Sequence, residues 1–325
     1  MAEIVHICDD RSLGGITRLL DTLQRSALAL RFDMRIQSAV HALEEEDKAR
    51  EARLYVVHNA VSWTSLWTLG RLAARHPLVL MEHHYSAAFE DLNVPDVYRF
   101  RTLLRMSYRF ATVVVAISEA QRRWMEEAKL APASKIRVIS PVVDLSDLLS
   151  LPPQNWDGSR PLVLGAYGRF HEQKGFVPLL RALAEARDLD CKLLLGGFGP
   201  LEPAIQRLAE ADERIELVGK VTCLERFLAA TDVVVVPSLW EPYGLTCLEA
   251  RAAGRPVLVA DVDALPEQAV GCGATFRHTG ELAERIRGLS PESLAPLGPV
   301  AQCSAAGALE RRLDRWGELF STLAA

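Results

Sequence analysis

The sequence predicts an α/β protein built from two doubly wound parallel sheets, on three observations. Short apolar runs recur along all 325 residues without polar–apolar alternation, the pattern of strands covered on both faces. Helix-length segments such as 176–187 and 201–211 separate them, giving the rhythm of βαβ units. One loop rich in Pro, Asn, Asp, Gly and Ser, at 149–160, breaks the series in two.

Six strands are expected before the break, at 4–8, 34–38, 54–58, 78–81, 113–117 and 136–139. Six follow it, at 162–166, 192–195, 215–218, 233–236, 257–260 and 274–276. The length suits two domains of ordinary size, 1–150 and 151–303. The stretch 304–323 reads as one amphipathic helix, placed in a third segment, 304–325. Two facing domains of this kind would set the carboxyl ends of both sheets against one cleft, where ligands bind.

Composition narrows the class. Hydrophobic residues make up 49% and charged residues 24%, as in globular proteins that are not membrane spans. A net charge of −5 argues against a dedicated nucleic-acid binder. The six cysteines show neither close pairing nor metal-ligand spacing with histidines, a pattern that fits a reducing cytoplasm. The start of the chain has no basic lead before its short apolar run, so no signal peptide is expected.

The most informative stretch is 231–267, running Thr-Asp-Val-Val-Val-Val-Pro-Ser-Leu-Trp-Glu241-Pro-Tyr243-Gly244-Leu245-Thr246-Cys-Leu-Glu249 and on to Pro266-Glu267. A buried strand ends in a polar loop holding Glu241, a helix opens at about Gly244, and Glu249 lies inside it. Unpaired backbone N–H groups and the positive end of the helix dipole thus fall between two carboxylates. The arrangement suits a ligand with an anion in its middle and hydroxyls at both ends. On spacing alone, a cap-side residue and a solvated surface charge explain the two glutamates equally well.

The wider wording resembles the glutamate–seven–glutamate signature of the retaining family 4, or group 1, glycosyltransferases. Proline-serine stands before it, and Ala250-Arg-Ala-Ala-Gly254-Arg-Pro256-Val257 stands after it. The resemblance implies the GT-B fold, with two Rossmann-like domains facing across a cleft and a last helix crossing back onto the first domain. It makes 1–150 the acceptor domain and 151–303 the nucleotide-sugar domain. It also implies transfer of a sugar from a nucleotide-diphosphate donor, UDP-linked by preference and GDP-linked otherwise, to an acceptor hydroxyl. Cell-surface polysaccharide, glycolipid and small-molecule glycosides are the expected products.

Roles follow by resemblance. Arg169 and Lys174, in Gly168-Arg-Phe-His-Glu-Gln-Lys174-Gly175, contact the donor phosphates together with N–H groups near Leu245 and Thr246; a solvated loop is the bland alternative for the two cations. Glu241, near Tyr243 and Gly244, orients the sugar, and Glu249 holds the ribose. The turn Gly196-Gly197-Phe-Gly199-Pro200 and the segment around Lys220 and Val221 lie beside the nucleobase. Gly14 and Gly15, in the loop after the first strand, form the first-domain glycine loop. His83, in Glu82-His83-His84, lines the transfer site as a catalytic residue, with His84 as its alternative and His58 left as structural. The leaving phosphate oxygen is expected to take the acceptor proton.

The segments Ala116-Ile-Ser118-Glu119 and 136–144 also resemble family segments, though Pro141 and Val142 depart from the pattern in the second. The Asp-x-Asp pairs at 188–190 and 261–263 are not in a setting for a divalent ion under a diphosphate, so no metal and no cofactor are expected. Residues 99–137 carry nine basic residues against three acids, with Tyr98, Phe100, Tyr108 and Phe110 interleaved. This reads either as a half-buried helix with a solvated basic side or as a peripheral contact with anionic lipid. A nucleotide-sugar 2-epimerase and a non-catalytic sugar-nucleotide binder are the rival readings. The first would lack the wording around Glu241 and Glu249, and the second does not require all four of Arg169, Lys174, Glu241 and Glu249.

Overall fold

The computed structural model describes residues 1–10, 14–46 and 53–324. Two compact units account for them: Met1–Asp144 with Leu309–Ala325, and Leu145–Ala308. Each contains one six-stranded parallel sheet.

In the first unit the strands are β1 (Glu3–Ile7), β2 (Asp33–Gln37), β3 (Arg53–Val57), β4 (Leu78–Glu82), β5 (Val113–Ala116) and β6 (Ile136–Val138). Their order is β2-β1-β3-β4-β5-β6. The runs that lack alternation are the buried central strands, with β4 and β5 covered along their whole length. Side-chain caps start two of the longer helices between them. Ser118 accepts the Gln121 N–H to open Glu119–Glu127, and Asp96 accepts the Arg99 N–H to open Val97–Phe110.

In the second unit the strands are β7 (Leu162–Arg169), β8 (Cys191–Phe198), β9 (Ile215–Gly219), β10 (Val233–Val236), β11 (Val257–Ala260) and β12 (Gly273–Phe276). The order β12-β11-β10-β7-β8-β9 is the doubly wound order 3-2-1-4-5-6 read from the other edge. Winding reverses between β7 and β10, and these two strands carry the arginine–lysine loop and the Glu241 loop.

Three expectations about organisation need correction. The loop 149–160 is bound into the second unit: Arg255 donates to the carbonyls of Pro152 and Leu228, and Gln154 donates through its side chain to Leu294 O and through its backbone N–H to Gly254 O. The boundary therefore lies at Asp144/Leu145 and not at 150/151. The expected single helix 304–323 is two, Leu297–Ala305 and Ala308–Leu323. Ala306 is extended and Gly307 adopts φ +66°, a left-handed conformation that ends a helix and that glycine takes without strain. Consequently the segment belonging to the first unit starts at Leu309 and not at 304.

That last helix is held by its apolar face. Trp316 and Phe320, one turn apart, are fully buried, and Phe320 meets Phe32 edge to face with ring centroids 5.5 Å apart.

Candidate active site

In a doubly wound sheet, loops leaving the two strands where winding reverses diverge and open a crevice at the carboxyl edge. In the second unit those loops follow β7 and β10, and three contacts tie them together. The Leu239 N–H donates to Gln173 O at 2.7 Å, and Gln173 Nε2 donates to Trp240 O at 3.2 Å. Gly175, at φ +64°, packs so tightly that a Cβ there would lie 1.9 Å from Pro237 O. Only glycine satisfies both the dihedral and the approach.

This closeness pairs two residues expected to hold different parts of the donor. Lys174 Nζ donates to Glu241 Oε2 at 2.5 Å, and Ser238 Oγ donates to the same oxygen at 3.2 Å. Glu241 is buried, and its own N–H is accepted by Asp263 Oδ2 at 2.9 Å. Both side-chain bonds land on Oε2, so Oε1 keeps its acceptor capacity among the described residues. Asp263, in one of the Asp-x-Asp pairs not expected to hold a divalent ion, thus adjoins the site as the support of the Glu241 backbone. Asp188, in the other pair, is bound bidentately to Arg287 on the surface. Arg169 ends β7 with an exposed side chain that has no ionic partner among the described residues.

Gly244 caps the helix Leu245–Ala252. The N–H groups of Cys247 and Leu248 return to Gly244 O, while those of Leu245 and Thr246 find no acceptor among the described residues. These two donors and the helix dipole begin four residues beyond Glu241, whose Cγ lies 3.5 Å from a Cβ built on Gly244. Tyr243 is buried beneath the turn and its carbonyl accepts from Gln268. Carboxylate, ammonium and free backbone donors are therefore neighbours, the donor set an anion requires.

Glu249 lies deeper, 3% exposed, and accepts the Tyr167 hydroxyl at 2.6 Å. Neither glutamate is a solvated charge. Gly197 and Gly199 bring β8 against β7: a Cβ on the first would lie 2.0 Å from Gly168 O, and on the second 2.7 Å from Phe170 O. At the neighbouring strand ends, Lys220 Nζ sits 5.4 Å over the exposed ring of Phe198, and Val221 packs on Gly196. The four residues expected beside a nucleobase are thereby brought together.

The expected residues of the first unit surround a different constellation. Gly14 and Gly15 open the helix Gly15–Arg25 and are exposed; Arg11–Leu13 of the same loop lie outside the described residues. His83 follows β4 and accepts or donates through Nε2 at 2.9 Å to Nδ1 of His58. His58 is therefore no isolated structural ring, since its Nε2 also lies 2.9 Å from Nδ1 of buried His6. Burial pushes His6 down to about 4 and, with His84 nearby, His83 down to about 3. Glu82 is turned inward. Its Oε1 accepts the N–H groups of His84 and Tyr85, its Oε2 accepts the Tyr108 hydroxyl, and burial raises its pKa.

Comparison with known proteins places this geometry. Residues 16–147 match the family described as Glycosyltransferase Family 4, and residues 161–290 match Glycosyl transferases group 1, one in each unit. The chain belongs to the family 4, group 1 glycosyltransferases. The phosphatidyl-myo-inositol mannosyltransferase of Mycolicibacterium smegmatis is 29% identical over 205 residues, covering 62% of this chain and 51% of that one. The chain spans about half or less of the length of the curated relatives it matches. Two solved structures share its GT-B fold. Sucrose-phosphate synthase from Thermosynechococcus elongatus has a TM-score of 0.80 at 19% identity, covering 99% of both chains. Anabaena HepE, solved in complex with UDP-glucose, has a TM-score of 0.78 at 18% identity, covering 99% of this chain and 100% of that one.

Sequence reasoning about this glycosyltransferase missed Tyr167, Ser238, Asp263 and His6. Ser238 and Tyr167 stand inside motifs read for other residues, so adjacency was their only signal. Nothing local marks Asp263 or His6, because their partners are 22 and 52 residues away.

Proposed function

We propose that this chain is a retaining glycosyltransferase that moves a sugar from a nucleotide-diphosphate sugar, UDP-linked by preference, to an acceptor hydroxyl. The observation that carries the reading is the Lys174–Glu241 pair beside the unpaired N–H groups of Leu245 and Thr246, at the winding reversal of the second sheet. Arg169, Lys174 and the helix start stabilise the departing diphosphate. Glu241 Oε1 accepts from the sugar hydroxyls, Glu249 from the ribose, and His83 lines the transfer site. The nucleobase lies by Gly197, Gly199, Lys220 and Val221, and Gly14 and Gly15 contribute the first-unit loop. The cations and the dipole do the work of a divalent ion. HepE, solved with UDP and with UDP-glucose, supports a uridine donor. The mannosyltransferase relatives support a glycolipid or polysaccharide product.

Incubation with UDP- and GDP-sugars tests the reading. Slow release of free sugar and of UDP, undiminished by EDTA, is expected. Epimerised nucleotide sugar, or a bound donor left intact with every acceptor offered, would overturn it.

Membrane contact is part of the same proposal, on a corrected surface. Among the described residues no helix is long and apolar enough to cross a membrane. Within 99–137 the expected basic face is partly spent internally: Arg101 pairs with buried Glu90, Arg105 caps the carbonyls of Ala128 and Lys129, and Tyr108 is buried. Among the described residues of the first unit, the exposed Trp, Tyr and Phe rings are Trp63, Trp67, Tyr98 and Phe110, with Arg99 over Trp63 and Arg71 over Trp67. Amphipathic rings with guanidinium groups suit an anionic lipid interface. Cosedimentation with phosphatidylglycerol vesicles but not phosphatidylcholine vesicles is expected, weakened about tenfold in Trp63→Ala/Trp67→Ala. Equal indifference to both vesicles would remove this part of the proposal.

A further inference from the structure

Three histidines stand at the carboxyl ends of three adjacent strands: His6 in β1, His58 just after β3 and His83 just after β4. Nδ1 of His6 is 2.9 Å from Nε2 of His58, and Nδ1 of His58 is 2.9 Å from Nε2 of His83. The planes of both ring pairs are inclined by 28° and their centroids lie 5.2 Å apart. His6 and His58 are 1% and 0% exposed, and Nε2 of His6 is buried without a partner. At the other end, Nδ1 of half-buried His83 has no partner among the described residues and is not among the buried unpartnered atoms.

A neutral imidazole has one N–H and one lone pair. The central ring must donate to one neighbour and accept from the other, so all three rings hold one tautomer, either Nδ1–H throughout or Nε2–H throughout. The second arrangement buries an unpaired N–H at His6. Phe320 meets that ring edge to face with centroids 6.1 Å apart, too far for the N–H to bond the aromatic face. The first arrangement leaves only a lone pair there, and orphaned buried donors are the rarer of the two defects. A relay is excluded by the same sealed end, because a proton handed to His6 has no group beyond it. The depressed proton affinities of His6, His58 and His83, caused first by burial, keep all three rings neutral at pH 7.

We propose that His6 and His58 are positioning residues that hold His83 in its Nδ1–H tautomer, so that it presents a hydrogen-bond donor to a sugar hydroxyl or phosphate oxygen and does not act as a base. The inference rests on the reading of His83 as the residue lining the transfer site.

Long-range 1H–15N spectra of the histidine-labelled, ligand-free full chain at pH 7 test it, with rings assigned through His6→Gln, His58→Gln and His83→Gln. Expected are three neutral rings with Nδ1 protonated and Nε2 bare. An Nε2–H signal or an imidazolium at any of the three overturns the inference, whatever the variants do. In His58→Phe, His83 is expected to return to the mixed tautomers of free imidazole. Its transfer kcat should then fall about tenfold, the size of one lost neutral hydrogen bond, with donor KM unchanged. An unmoved His83 tautomer in that variant would make His58 merely structural. Because the spectra need no substrate, failure of the wild-type protein to transfer any sugar would sink the functional reading alone.

Discussion

Replacing Lys174 with methionine is expected to lower kcat/KM for sugar transfer by roughly 10²–10³-fold, the loss seen when one preorganised donor to a developing anion is removed. The ammonium bonds Glu241 at 2.5 Å, and the Cγ of that glutamate lies 3.5 Å from a Cβ built on Gly244, the cap of the helix Leu245–Ala252. Stability should fall as well, because buried Glu241 loses its counter-ion and keeps only Ser238 on Oε2. The two losses separate in the double variant Lys174→Met/Glu241→Gln. It no longer buries an unpaired charge, so unfolding in urea should recover toward wild type while transfer stays lost. Recovery of both, or of neither, would mean that the pair serves folding alone. Arg169, exposed and without an ionic partner among the described residues, should cost less, about tenfold in Arg169→Ala.

Acid should weaken the first unit well before ordinary carboxylates titrate. His6 is held at about 4 and His83 at about 3 against an ordinary value of 6.5, in both cases chiefly by burial. Between 6.5 and those values the unfolded chain binds protons that the folded chain refuses, so stability present above pH 6.5 is lost as pH falls. Each pH unit costs at most roughly 1.4 kcal/mol per histidine, so His6 alone accounts for roughly 3 kcal/mol by pH 4. Glu82 works in the opposite sense: its raised pKa lets the folded state take a proton first and offsets part of the loss. Hydrogen exchange of β1 and β3 amides, corrected for intrinsic rates, should show protection falling from pH 6.5 to 4, with a shallower fall in His6→Gln. Flat protection over that range would contradict neutral buried rings.

The parts of this molecule visible in the sequence are those that local patterning dictates. Unbroken valine in β10, uniformly buried in the sheet, and the glutamate spacing around Gly244 depend only on near neighbours. The break at Gly307 was hidden because apolar periodicity continues on both sides of it, and one glycine does not interrupt a stripe. The Lys174–Glu241 pair spans 67 residues and the histidine chain spans 52 and 25. Such contacts are set by strand order, which periodicity does not encode. For the same reason the role of Tyr167 is readable only with β7 beside β10, and that of Asp263 only with β11 beside β10.

The account stands on a diphosphate bound against the first turn of the helix Leu245–Ala252. Titration of the 15N-labelled chain with UDP reads this directly. The amide signals of Leu245 and Thr246 should shift most, in proportion to saturation, with smaller shifts along 169–175. Saturable UDP binding that leaves both amides unmoved would contradict the account.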